Sequence, residues 1–149
     1  MAMDLLSIKN KKESDFMKSI IPNISVPNCK DALEFYKLVF GGELKMIKTA
    51  DNSEMFKGHE GKIMHSELHV SPNCVMYFTD LFGERASHTN IQLVLEMDSK
   101  EQLEKVYEEL TKEDANVIYE LQKTFWGAYH AVVKDKFAVT WGLNYSEAN

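Results

Sequence analysis

The chain has few cysteines, few glycines and no long apolar stretch, and each shortage excludes a class of protein. Its two cysteines, Cys29 and Cys74, form neither a CxxC motif nor a zinc-type cluster, so we expect a reduced cytoplasmic protein without a disulfide framework. No run approaches the roughly 18–20 apolar residues of a membrane span. The seven glycines form no GxGxxG loop, so no dinucleotide-like cofactor is expected.

The composition is that of a folded, acidic protein. Of 149 residues, 44% are apolar and 27% are charged, which suits one compact unit or two half-domains that share a core. The 17 basic and 23 acidic residues give a net charge of −6, so polyanions are repelled on average. We therefore expect neither a nucleic acid nor a membrane as partner. Residues 1–19 are predicted to be a tail, because their apolar run is too short for a signal peptide.

Strand and helix signals occur twice in the same order, β-α-β-β-β. The two modules are predicted at 20–82 and 90–145, in one domain over 20–145 that is followed by a short tail at 146–149. Each module carries one helix, which Asn28 is expected to cap in the first and Asp98 in the second. A repeated unit that cannot bury its own sheet needs the other copy, so we predict an α+β fold with a shared core. The predicted strands are 19–26, 43–49, 62–70, 73–80, 90–97, 116–121, 127–134 and 137–144.

Five short motifs occur in a characteristic order along the chain: ALEFYK at 32–37, FGG at 40–42, KIMHSEL at 62–68, TFWG at 124–127 and DKFAVTW at 135–141. In this order they resemble those of the vicinal oxygen chelate superfamily, which comprises glyoxalases, bleomycin resistance proteins and extradiol dioxygenases. Within that superfamily the chain is most similar to the PhnB-like branch. The resemblance implies duplicated βαβββ modules that form a cupped mixed sheet around a small-molecule pocket, with helices on the convex side and commonly a homodimer.

The resemblance also indicates where catalytic relatives hold a divalent metal. By spacing, these positions fall on Ile21, Gln92 and Gly142, with either Tyr77 or Thr79 as the fourth. Ile21 and Gly142 have no ligand atoms in their side chains, and Gln92 alone cannot hold an ion that needs several N or O ligands. We therefore predict no metal and no other cofactor, and whether the chain is an enzyme stays open.

Strand alternation predicts which residues line the pocket. His65 and Glu67 alternate with Ser66 and Leu68 on one strand, so they should face the cup if the apolar side packs on the helix. A metal shared by His65, Glu67 and His69 is not feasible, because strand spacing separates the two histidines by roughly 13 Å. The full set of predicted ligand-binding residues is His65, Glu67, Tyr77, Gln92 as the floor, Trp126 as the rim, and His130.

Three functions are compatible with these residues. The first is a metal-free protein that binds a small organic molecule. The second is an acid–base or metal-dependent enzyme that works through His65, Glu67 and His130, and the third is a dimerisation protein with a vestigial pocket. Trp141 is expected in the core under the second helix, and Cys29 is expected to be a structural thiol. Ala138 stands where the family usually has glycine in a tight turn.

Overall fold

The computed structural model describes residues 17–51, 54, 57–83 and 90–147. Within them the order β-α-β-β-β occurs twice, as predicted. None of the described helices is long and apolar enough to cross a membrane. The first module contains β1 (Asn23–Val26), α1 (Cys29–Phe40), β2 (Glu43–Thr49), β3 (Ile63–Ser71) and β4 (Cys74–Asp80), and the second contains β5 (Leu93–Glu96), α2 (Lys100–Leu110), β6 (Asn116–Lys123), β7 (Ala128–Lys134) and β8 (Thr140–Ser146).

The two helices begin at polar caps, one of which differs from the prediction. The side chain of Asn28 accepts a hydrogen bond from the Asp31 backbone N–H and caps α1, as expected. α2 is capped by Ser99 instead of Asp98, because the Ser99 hydroxyl accepts from the Gln102 backbone N–H at 3.1 Å. Gln102 in turn accepts the backbone N–H of Asp98, which completes a reciprocal arrangement at the start of the helix.

Each module forms its own four-stranded mixed sheet. The strand orders are β1-β4-β3-β2 and β5-β8-β7-β6, so the same topology occurs in both modules. The first strand of each module pairs in parallel with the last, and the other neighbours are antiparallel. The duplicated α+β architecture is therefore confirmed. The described strands of each module pair only with strands of the same module.

A single core holds the two modules together. The apolar faces of both sheets pack with both helices in one cluster, in which Leu68 and Phe78 of the first sheet join Leu143 of the second. Each sheet therefore turns its apolar face inward. On β3, the polar residues that alternate with the core residues face outward, away from this shared core.

The strand limits differ from the prediction where the chain turns. β1 begins at Asn23, although the backbone carbonyl of Pro22 already accepts the Tyr77 N–H at 2.8 Å. β8 begins only at Thr140, because residues 135–139 form a turn that is organised by the Asp135 side chain. These shifts do not affect β3 and β7, whose bounds lie within one residue of the predicted ones.

Asp135 also connects the two modules. Its Oδ1 accepts the backbone N–H groups of Phe137 and Val139 within the turn. Its Oδ2 accepts the Tyr36 hydroxyl of α1 at 2.6 Å and the Trp141 indole N–H of β8 at 2.7 Å. This buried carboxylate thus receives four donors, two of them from side chains that belong to different modules.

Candidate functional site

The outward face of β3 carries a hydrogen-bonded row of three polar side chains. Ser66 and Leu68 are fully buried, so the predicted alternation is correct and His65, Glu67 and His69 lie on the opposite face. His65 Nε2 lies 2.9 Å from Glu67 Oε2, and His69 Nε2 lies 2.7 Å from Glu67 Oε1. Each carboxylate oxygen of Glu67 is therefore hydrogen-bonded to one imidazole ring.

The electrostatic character of this row follows from the contacts of Glu67. Hydrogen bonds from His65 and then His69 hold the pKa of Glu67 below its usual value, so the carboxylate is ionised at neutral pH. A neutral histidine that donates Nε2–H to this carboxylate keeps Nδ1 as a lone-pair acceptor. In that tautomer, Nδ1 of either ring can accept a hydrogen bond from a ligand.

Tyr77 extends this site onto the neighbouring strand. It pairs across β3 and β4 with Glu67, and its ring meets the His65 ring at 4.7 Å between centroids with an interplanar angle of 77°. Its neighbours Met76 and Phe78 are buried on the helix side, as the alternation predicts. His65, Glu67 and Tyr77 are thus brought together on the first sheet.

The remaining predicted residues lie on the second sheet. His130 of β7 pairs with Gln122 of β6 and Asn144 of β8, and its neighbour Ala131 is buried in the core. Trp126, in the turn between β6 and β7, lines the same groove as His130, a space of about 420 Å³. The groove residues are Tyr119, Gln122, Lys123, Thr124, Phe125, Trp126 and His130.

Gln92 lies beside Gly142, as the spacing of the metal positions requires. An added Cβ at Gly142 would lie 2.6 Å from Gln92 Oε1, so the glutamine side chain fills the space where residue 142 has none. In the second module, Gln92 comes two residues before Val94, the pairing partner of Gly142. In the first, Ile21 comes two residues before Asn23, the pairing partner of Tyr77. The register therefore selects Tyr77 over Thr79 as the fourth position.

These four positions do not fit the metal of the catalytic relatives. Isoleucine and glycine offer no side-chain donor, glutamine offers a neutral oxygen, and tyrosine offers a hydroxyl in place of a carboxylate. Among the described residues, no group of three or more histidine, cysteine or acidic side chains is arranged to hold a metal ion.

The six predicted residues therefore form two groups, one on each sheet, instead of one shared cup within a chain. Gln92 is not a common floor, and His130 lies on a different sheet from His65. The physical reason is that the helices pack between the sheets, so the two outward faces are not directed at each other. The predicted ligand-binding set did not include His69, which alternation places on the same face as His65 and Glu67. It also lacked Tyr119 and Phe125, although the TFWG motif was an available signal for Phe125.

Two further expectations concern buried side chains. Cys29 is a buried structural thiol, as predicted, and burial is the main cause that raises its pKa to about 12. Trp141 is fully buried. Its ring contacts two aromatic rings of α1, with centroid-to-centroid distances of 5.6 Å to Tyr36 and 5.2 Å to Phe40. It therefore fills the contact between the modules and not only the space under α2.

Two βαβββ modules of identical strand order, each with one helix in the shared core, define a protein of the vicinal oxygen chelate fold. The sequence profile of the Glyoxalase/Bleomycin resistance protein/Dioxygenase superfamily matches residues 19–143. The chain belongs to this superfamily.

Known relatives agree with this assignment. The chain is 26% identical over 129 residues to Protein YjdN of Escherichia coli K12, which covers 78% of this chain and 87% of that protein. It is similar to the crystal structure of protein PA1353 from Pseudomonas aeruginosa, with a TM-score of 0.77, 27% identity and coverage of 87% and 98%. A PhnB protein from Bacillus cereus shares the fold, with a TM-score of 0.71, 18% identity and coverage of 87% and 100%.

Proposed function

We propose that this chain is a metal-free protein that binds a small organic molecule. The observation that carries the proposal is the groove on the second sheet, where the predicted residues Trp126 and His130 meet Tyr119 and Phe125. Its volume of about 420 Å³ falls in the range of small-molecule sites, and aromatic walls with a few polar groups are typical of such sites. The donor-poor residues at the four metal positions support binding without an ion.

The proposal includes assembly as a homodimer in the cytoplasm. Large apolar side chains are exposed on the edge strands of both sheets, including Met46 and Ile47 on β2 and Ile118 on β6. Exposed apolar strand edges are normally covered, and a second copy of the chain can cover them by apolar contact despite the net negative charge. A dimer also allows the polar face of one sheet to approach the other sheet of its partner.

The test is to identify what the groove retains from the cell. Native protein is purified without a tag, the bound small molecules are released by denaturation, and they are identified by mass spectrometry together with elemental analysis. We expect one organic species in wild type that is strongly depleted in Trp126→Ala, while Leu38→Ala, an exposed apolar change on α1, keeps it. About one metal ion per chain, or equal retention by both variants, would contradict the proposal.

A second candidate function is metal-free acid–base catalysis on the first sheet. It is favoured by the contact of Glu67 with His65, because a carboxylate that is hydrogen-bonded to an imidazole ring sets its tautomer and orientation. His130 lies on the other sheet, so this version of the mechanism uses His65 and Glu67 and takes His130 only from a partner chain. Proton exchange at a carbonyl α-carbon, followed by NMR in deuterated buffer, tests it with His65→Gln against the control His59→Gln.

A further inference from the structure

We infer that the groove on the second sheet takes a planar aromatic molecule that carries an acidic group. This inference rests on the proposed function and names the ligand class. Three exposed aromatic rings and one exposed, weakly paired positive charge carry it. These features lie on β6 and on the turn between β6 and β7.

The aromatic rings are exposed to an extent that a folded chain rarely shows without a partner. Tyr119 is 60% exposed, Trp126 is 60% exposed and Phe125 is 97% exposed. Phe125 and Trp126 meet at 4.8 Å between centroids with an interplanar angle of 89°, so together they form a right-angled corner. A flat ring system that stacks on one ring of this corner meets the other ring edge to face, and both arrangements are favourable.

The turn that holds this corner is fixed by its own hydrogen bonds. The backbone N–H of Thr124 donates to the Ala128 carbonyl at 2.7 Å, and the Thr124 hydroxyl accepts the Ala128 N–H at 3.1 Å. Gly127 adopts a φ of 86°, which closes the turn and which other residues rarely tolerate. The rings are therefore presented by a closed hairpin and lose little further freedom when a ligand binds.

The charge of the groove is opposite to that of the chain. Lys123 is the lining residue with a formal charge, although the chain as a whole carries −6. Its Nζ lies 3.8 Å from Glu147, a long pair in which both side chains are exposed, so the ammonium group can still bind another anion. Gln122, Thr124 and His130 add neutral hydrogen-bonding groups beside it. An aromatic acid satisfies the rings and the ammonium group together.

Titration calorimetry with three probes tests this inference. The probes are naphthalene-2-carboxylate, the neutral naphthalene-2-carboxamide, and cyclohexanecarboxylate, which has the charge without the flat ring. We expect the naphthalene carboxylate to bind most tightly. Trp126→Ala should weaken both naphthalene probes about tenfold, and Lys123→Gln should weaken only the carboxylate, by about fivefold.

Matched controls separate these effects from general ones. Lys45→Gln removes a lysine that is paired with an exposed carboxylate at a similar distance, 3.7 Å, on the other sheet, and should leave all affinities unchanged. If the carboxamide binds as tightly as the carboxylate and both depend on Trp126, the ligand class is wrong while small-molecule binding stands. If no probe binds, or if Trp126→Ala abolishes only self-association in sedimentation, the inference is overturned.

Discussion

Ala138 has a backbone conformation that its side chain disfavours. Its φ is 66°, in the left-handed region where an alanine Cβ crowds the following carbonyl oxygen. The conformation is imposed by the turn, in which the Ala138 N–H donates to the Asp135 carbonyl and Asp135 Oδ1 accepts from both Phe137 and Val139. A glycine at this position would relieve the same strain, because it has no Cβ.

Ala138→Gly should therefore stabilise the protein. Relief of the left-handed conformation outweighs the greater flexibility of glycine in the unfolded chain, so the free energy of unfolding should rise by about 0.5–1 kcal/mol. Urea denaturation measures this. Ala115→Gly, at a residue outside the left-handed region, is the control and should destabilise the protein. A lower stability for Ala138→Gly would show that the turn does not strain the alanine.

The start of α2 shows how an element selects its own cap. Asp98 and Ser99 are adjacent, and both residue types are good caps, but only the Ser99 side chain accepts the Gln102 N–H. Sequence spacing favours Asp98 because Glu101 follows three residues later, whereas in the structure Gln102 supplies the reciprocal bond. The presence of a polar cap was therefore predictable from the sequence, but its predicted position was wrong by one residue.

Substitution of the two candidates should distinguish them. Ser99→Ala should lower the free energy of unfolding by about 1 kcal/mol, because it leaves a helix N–H without its acceptor. Asp98→Ala should have a clearly smaller effect, since the contact that Asp98 makes here uses its backbone N–H. Thermal and urea unfolding of both variants are the measurements, and equal losses would contradict the assignment of the cap.

The polar row on β3 predicts a pH dependence of stability. The pKa of Glu67 is lower in the folded protein than in the unfolded chain, so its ionised form is stabilised by folding. This contribution is fully present above the ordinary glutamate pKa of about 4.3 and is lost as the pH falls through the lower folded value. In Glu67→Gln, stability should therefore fall less steeply below about pH 4.5.

Urea midpoints between about pH 2.5 and 7 measure this slope. Glu43→Gln, an exposed carboxylate on the neighbouring strand β2, is the matched control and should keep the wild-type slope. If Glu67→Gln and wild type lose stability in parallel, the two histidine contacts do not favour the ionised form. Because this site is near the surface, the difference should be small and should shrink in high salt.

At the scale of the whole molecule, the two modules are joined by a buried hydrogen bond that lies within their shared apolar core. Tyr36 of the first module donates to Asp135 of the second, and its ring stacks on Phe78 of its own sheet. Burial first and the Asp135 carboxylate second raise the pKa of Tyr36 well above its usual range, so the phenol remains a donor at all ordinary pH values. The contact thus fixes how one module sits on the other.

Loss of this contact should destabilise the entire fold. Asp135→Asn presents an amide N–H₂ to donors that need an acceptor, and we expect a loss of about 2 kcal/mol or more. Tyr36→Phe removes one donor and should cost about 1 kcal/mol. Tyr145→Phe, a partly exposed tyrosine on β8, serves as the control in the same urea denaturation series. Wild-type stability in Asp135→Asn would show that the carboxylate is dispensable.

The local features of this protein were determined by the sequence itself. The order of elements, the bounds of α1 from Cys29 to Phe40, and the outward face of β3 all follow from periodicity and capping. These signals act over a few residues, because a strand alternates every second residue and a helix returns every three or four. The family resemblance then placed the metal positions, and sheet register selected Tyr77 among them.

The arrangement of the two modules was decided only by tertiary structure. Alternation says that His65 and His130 face away from the core, but it does not say whether their sheets share one cup. That outcome depends on Tyr36, Phe40 and Trp141, which pack α1 of one module against β8 of the other. Contacts between residues so distant in the chain depend on how two complete surfaces fit together. The local periodicity of the sequence does not predict that fit.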